Sequence, residues 1–593
     1  MRIFWKAFLA SLLAIFVSSI LFMFVLMGIV SAIASFSEKQ VIVKSQSLLV
    51  IKLDNRIVER KSNNPFDELE IPGFSTTSTT GLNQIFNVID KAKTDDNIEG
   101  IFLELSDIES GYATIEEIRN ALKDFQSSGK FIYAYSDAIS QKAYYLATVS
   151  DSIILNPAGM FDFRGLNAER TFYKKAMEKF GIEMQVVRGK NNKFKSAVEP
   201  FLYEEMSEAN RQQTTVYLSS IWNHLLKGIA EERDIPVDSL NKYANSVLTF
   251  QPAEVALKAG FFDNLKDRDQ VLADLRTLAG LAENEDIPVL TVGEYDKMPK
   301  IATEKGLAKD RIAVVYAEGE IDSSTGYDPH QIDSKEVSKG IREARTDSTV
   351  KAIVLRVNSP GGSAFGSEVI WREVKLAQEI KPVIVSMGDY AASGGYYISC
   401  PADMIVSNPT TITGSIGVFG TIPNFEKLLS EKIGITFDNV NTNEHSDMPS
   451  FYRKMTPFEA GLMQNYVENT YQTFLSHVAD GRKMQTVAVD SIGQGRVWSG
   501  ENALTIGLVD QFGGLKEAIE LARQKAGIEK FRVKEFPKLK DPFQELLKNF
   551  SAQMQAKVLR SYLGNAYSDW ENIQKQATSK GVFALMPYKL DIY

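Results

Sequence analysis

One cysteine in 593 residues, Cys400, leaves no partner for a disulfide within the chain and no thiolate cluster for a metal. Histidine is nearly as scarce: His224, His330, His445 and His477 are scattered, and no two stand four apart as in a helical zinc motif. Basic residues are the third deficit. A formal charge of −9 lacks the cationic excess that a phosphate-binding face requires, so nucleic acid is not an expected partner. Serine, lysine and carboxylate chemistry remain, and neither a metal nor a cofactor is expected.

Charge of either sign is missing from residues 7–36, "AFLASLLAIFVSSILFMFVLMGIVSAIASF", a run long enough to cross a bilayer. Ala32-Ile33-Ala34 resembles a signal-peptidase site, but the run is too long for the apolar core of a signal peptide. Residues 1–36 are therefore expected to persist as a single-pass anchor, with the lipid bilayer as a partner. Arg2 and Lys6 precede the run and Lys39 and Lys44 follow it; the very short leading flank favours an inside N-terminus and an exported body.

The rest of the chain repeats itself. "IEGIFLELSD" from Ile98 reads against "VKAIVLRVNS" from Val350, and "IFNVIDKAKTDDN" from Ile85 against "VSKGIREARTDST" from Val337, both 252 residues apart. Asp137 and Asp389, Tyr144 and Tyr396, and Asn156 and Asn408 keep that spacing. Ile85, Val88, Ile89 and Ala92 share one helical face, while "GIFLEL", "AIVLRV", "FIYAY" and "PVIVSM" read as short buried strands. Strands alternating with helices predict two α/β domains with parallel sheets, over 45–286 and 288–536. The tail, 537–593, reads as amphipathic helix.

The copies differ where chemistry would lie. The second has two glycine-rich loops after strands, "NSPGGS" with Gly361 and Gly362, and "DYAASGGYYIS" with Ser393 and Gly394. Glycines there let backbone N–H groups approach a reacting carbonyl. The first copy has "SDIESG" and Gln141 at those places. A turn with tight packing would use glycine equally well. A serine nucleophile needs a base, and no histidine stands in the matching loops. The first copy's "NNKFKSAVEPF" offers Lys193 and Lys195 in an apolar setting; desolvation would lower the pKa of either, although most lysines are simply solvated.

"KSAVEPF", "VNSPGGS", "DYAASGGYYIS" and "TGSIGV", in that order, resemble the bacterial signal peptide peptidase A (protease IV) family in its long duplicated form. The resemblance covers nearly the whole chain, anchor included. It implies tandem crotonase-like or caseinolytic-protease-like domains and a Ser/Lys dyad, with Ser393 as nucleophile and Lys195 as general base. Ser415 would hold the lysine, and Gly361, Gly362 and Gly394 would line the oxyanion hole. The implied setting is the inner membrane of a bacterium, with the catalytic domains outside the cytoplasm. The implied substrates are remnant signal peptides, and the implied assembly is a homotetramer. Asp389 and Tyr390 stand where smaller residues are expected, which would alter the adjacent pocket. The sequence leaves two other readings: a crotonase-fold acyl-CoA enzyme and a non-catalytic membrane scaffold.

Overall fold

The structure is a computed structural model that describes residues 43–61, 79–299, 308–322, 331–539 and 581–586, with helical residues 4–6, 8, 10–21 and 24. The N-terminal helix is long and apolar enough over Phe4–Leu21 to cross a membrane. The remainder of the expected anchor lies outside the described residues.

Each copy builds a parallel sheet. In the first the strand order is Asn264–Leu265, Ser152–Asp162, Phe131–Ser140, Ile98–Glu104, Ser47–Ile51, Val289–Thr291, every pair parallel. In the second, Arg532–Phe536, Arg311–Glu318, Val350–Ser359 and Val383–Ala392 lie side by side in parallel. Ile412–Gly414 and Met404–Ser407 continue from Val383–Ala392. Helices cover both faces of such sheets, so the strands are apolar throughout rather than alternating. Ile101, Leu103, Val354 and Leu355 are all buried. The crossover helix Leu82–Thr94 buries Ile85, Val88, Ile89 and Ala92, as its periodicity requires.

Two expectations need correction. The first copy does not end at residue 286: Val289–Thr291 pairs with Ser47–Ile51, and Tyr295, in the helix that follows, donates its hydroxyl to Asp95. That edge strand corresponds to Arg532–Phe536 in the second copy. The 537–593 tail is not wholly helical, because Gly581–Leu585 is a strand. Asp389 also ties the second copy to the first. It accepts hydrogen bonds from Gly111 N at 3.1 Å, Thr114 N at 2.9 Å and Thr114 Oγ1 at 2.8 Å, capping the first-copy helix Tyr112–Gln126.

A third sheet joins the copies. Its order is Gln331–Ile332, Glu320–Ile321, Gly361–Ser363, Gly581–Leu585, Phe419–Asn424, Glu183–Arg188. Glu183–Arg188, from the first copy, runs antiparallel to Phe419–Asn424 of the second. This excursion carries the following loop, with Lys195, across to the second copy. Behind it the copies are locked by Arg356, whose Nε lies 2.7 Å from Glu59 Oε2 and whose Nη2 lies 2.7 Å from Glu117 Oε1, all three buried. Such a group costs heavily to break, since removing one partner strands a buried charge.

Candidate active site

Ser393 follows the last residue of Val383–Ala392 and sits at φ 55, ψ −111. Few non-glycine residues adopt that conformation, and it persists only where the surroundings enforce it. Here Ser393 N donates to Gly414 O at 2.8 Å, and Tyr397 N donates to Ser393 O at 2.8 Å. The turn projects Oγ away from the strand toward the loop that arrives from the first copy.

Lys195 meets it there. Nζ lies 2.8 Å from Ser393 Oγ, 2.9 Å from Ser415 Oγ and 3.1 Å from Ser415 O. Both Lys195 and Ser393 are fully buried. Three uncharged oxygens surround the amine, and no carboxylate pairs with it among the described residues. Burial therefore holds its pKa well below the ordinary lysine range, with nothing opposing the shift. A neutral amine has two N–H donors and one lone pair, so with both donors on Ser415 it would keep the lone pair for the Ser393 hydroxyl. Lys193, two residues earlier, is exposed, with its Nζ 5.3 Å from the Phe194 ring centroid.

The glycine loops close on one another. Gly361 has φ 103, and a Cβ there would stand 2.7 Å from Gly394 N and overlap the Ala584 carbonyl oxygen. Only glycine permits that approach. The Gly361 N–H is already committed, donating to Ser359 Oγ at 3.1 Å. Ser415, at φ 49, is pinned through its N–H to Arg496 O at 2.7 Å.

Residues the sequence reading passed over hold the lysine in place. Gln213 Nε2 donates to Phe194 O at 3.1 Å and Ser196 Oγ at 3.0 Å, and its Oε1 accepts from Val497 N at 3.1 Å. Gly495, at φ 78, packs against the lysine backbone so closely that a Cβ would lie 2.5 Å from Lys195 Cβ. The "GQGR" turn at 493–496 was the available signal for Gly495; Gln213, within a long helix, carried none.

The first copy lacks this arrangement. Gln141, at the place of Ser393, donates to Gly165 O at 2.8 Å and accepts from Gly165 N at 3.2 Å and Arg164 N at 3.3 Å. Those residues correspond to Gly417 and Ile416, and Ser393 Oγ itself lies 3.5 Å from Gly417 O. Gln141 thus binds its own loop shut. At the counterpart of Lys195, Asp447 pairs with Arg453 at 2.7 Å and Met448 follows it, so no amine is present.

Comparison with known proteins agrees with a duplicated hydrolase. The model of peptidase family S49 matches residues 124–282 and 375–529. Protease 4 of Haemophilus influenzae is 34% identical over 507 residues, covering 83% of this chain and 82% of that protein. The chloroplastic serine protease SPPA of Arabidopsis thaliana is 32% identical over 455 residues, covering 76% of this chain and 66% of that one. Among solved structures, ClpP1 from Listeria monocytogenes aligns at a TM-score of 0.22 and 16% identity, over 34% of this chain and 92% of its own. The acyl-CoA and scaffold readings fall with these matches: the chain belongs to peptidase family S49 and is a serine protease.

Proposed function

We propose that Ser393 is the nucleophile and Lys195 the general base, and that the two copies each supply half of one site within a single chain. The observation that carries this reading is the buried amine at 2.8 Å from the serine hydroxyl. The Ser393 proton passes to neutral Nζ as Oγ attacks the scissile carbonyl. The Gly362 and Gly394 amides receive the oxyanion. The lysine ammonium then protonates the leaving amine, and water hydrolyses the acyl-enzyme with the lysine again as base. Ser415 orients Nζ through its hydroxyl and carbonyl oxygens.

The apolar helix over Phe4–Leu21 supports a membrane anchor, with the domains exported. An anchored hydrolase meets apolar peptides confined to the same bilayer, which favours remnant signal peptides as substrates. A head-to-tail homotetramer is supported by the duplication. In the second copy Ile412 is buried in a core spanning both copies, whereas its first-copy counterpart Met160 is 47% exposed beside exposed Pro157 and Ala158. The second copy of a neighbouring chain would cover that face.

Hydrolysis of a synthetic signal peptide by the full chain in detergent tests the reading. Ser393→Ala and Lys195→Ala should each be inactive, and mixing the two inactive chains should restore nothing, because both residues come from one chain. Recovery on mixing would place the dyad between chains.

A further inference from the structure

The "KSAVEPF" stretch carries a second polar residue besides its lysine. Glu199 is a buried carboxylate with no cation at ion-pair distance among the described residues. A buried charge without a counter-ion is costly and has to be held by hydrogen bonds. Its Oε2 accepts from Ser207 N at 3.2 Å and Asn210 Nδ2 at 2.8 Å, and its Oε1 accepts from Ser207 Oγ at 2.5 Å. Ser207 is the N-cap of the helix Glu208–Arg233, so the carboxylate lies at the end of the helix dipole that suits negative charge.

The bonds continue inward to the lysine loop. Asn210 Oδ1 accepts from Gln213 Nε2 at 3.2 Å. The same Nε2 donates to Phe194 O and Ser196 Oγ, so its two hydrogens serve three oxygens, two of them on the residues that flank Lys195. On its other side Gln213 Oε1 accepts from Val497 N, and Val497 pairs with Gly414, next to Ser415. Glu199, Ser196, Asn210 and Gln213 are all buried, where an unmade bond is expensive.

Direction along this chain is set at its start. A carboxylate only accepts, so Asn210 turns its NH2 toward Glu199 and its oxygen toward Gln213. Gln213 then turns its NH2 toward Asn210 and its oxygen toward Val497. That orientation gives the Phe194 carbonyl a donor and the Val497 N–H an acceptor. The Gln213 amide cannot turn over without breaking bonds to both copies.

We propose that Gln213 and Glu199 are positioning residues for the proton transfer: Gln213 ties both neighbours of Lys195 to the strand beside Ser415, and Glu199 fixes the direction in which it does so. This rests on the assignment of Lys195 as the base for Ser393. Nζ stands at the end of a flexible side chain, so its place depends on how firmly residues 194–196 are held.

The test uses full-length Gln213→Leu, which keeps a similar volume and loses every one of these bonds. Hydrolysis of an apolar peptide should show kcat lowered about thirty- to a hundredfold with KM within about twofold, as a base displaced by about 1 Å requires. Glu199→Gln should lose less, and the double variant should fall no further than Gln213→Leu, because both act through one chain. A loosened amine should also titrate nearer the ordinary lysine value. Competitive acetylation of Lys195 across pH, read by mass spectrometry in a Ser393→Ala background, should therefore show its midpoint raised by about one unit in Gln213→Leu. That arm needs no catalysis. A raised midpoint, together with a Lys195→Ala chain that still cleaves peptide, would refute the dyad and leave Gln213 as the residue that seats Lys195. Should Gln213→Leu fail to fold, Gln213→Glu, of equal size and still able to accept from Val497 N, takes the same readings. A folded variant with unchanged kcat and an unmoved midpoint overturns the proposal, and so does one whose only change is a lower melting temperature.

Discussion

Gly495→Ala is the substitution that the geometry makes most informative. The new Cβ would lie 2.5 Å from Lys195 Cβ and 2.7 Å from both Lys195 Cα and N. Carbon atoms in contact settle at about 3.5–4.0 Å, so the loop bearing the lysine must retreat by roughly 1 Å. The alanine must also hold φ 78, which costs about 1–2 kcal/mol. That cost is local. Misplacing a catalytic group by about 1 Å lowers the rate by about a hundredfold, or about 2.7 kcal/mol in the barrier. The assay is kcat/KM for an apolar peptide, alongside a thermal melt. We expect a folded enzyme with kcat/KM reduced about a hundredfold. Lys193→Ala, at an exposed position, is the control and should stay within about twofold of wild type, as surface changes away from the site do. A Gly495→Ala chain as active as wild type would show that placement of Lys195 against Ser393 is not what limits catalysis.

Three further outcomes follow from the same contacts. Gln141→Ala should leave peptide hydrolysis intact while costing about 1–3 kcal/mol in a denaturant melt, because the loop at 164–165 loses a buried partner. Lys195→Met should abolish activity yet raise the melting temperature near neutral pH. The folded lysine sits below its ordinary pKa, so the unfolded chain binds the extra proton; wild-type stability rises with pH through that window, and the variant's advantage should shrink as the pH nears about 10.4. Arg356→Met should cost about 3–5 kcal/mol by stranding Glu59 and Glu117. Burial has already pushed the Glu117 carboxyl up to about 7, and losing the guanidinium raises it further. A folded carboxyl pKa above the unfolded one removes stability as pH rises, so the deficit in melts of Arg356→Met should be largest above pH 7 and smaller in acid.

Much of this architecture was legible because it was written twice. A repeat at a spacing of 252 residues fixes the order of strands and crossover helices, and the loss of serine and glycines from one copy points to the other. Ser393 and Lys195, singled out from the chain, lie together in the fold. What distinguishes Lys195 from Lys193 physically is burial, and the sequence "NKFK" does not display it. The features that were missed depend on contacts between distant residues. Glu183–Arg188 pairs with a strand of the other copy, and Gly581–Leu585 with strands over 150 residues away. A five-residue apolar stretch has no local property that announces such partners. Gln213 is an ordinary helical residue until its amide is seen bridging Phe194 and Val497. Asp389 was noticed as an oddity beside the nucleophile, and its role as a cap for another domain's helix could not be read locally.

The central claim is that a buried, neutral lysine from one copy activates the serine of the other. It is tested most directly by following the rate at which an active-site-directed serine reagent labels Ser393 as a function of pH, in wild type and in Lys195→Ala. The account predicts that wild-type labelling rises through a single ionisation lying well below the ordinary lysine value, as the amine loses its proton. It predicts that this limb, and nearly all of the labelling, vanishes in Lys195→Ala. A Lys195→Ala chain that labels at the wild-type rate with the same pH profile would contradict it.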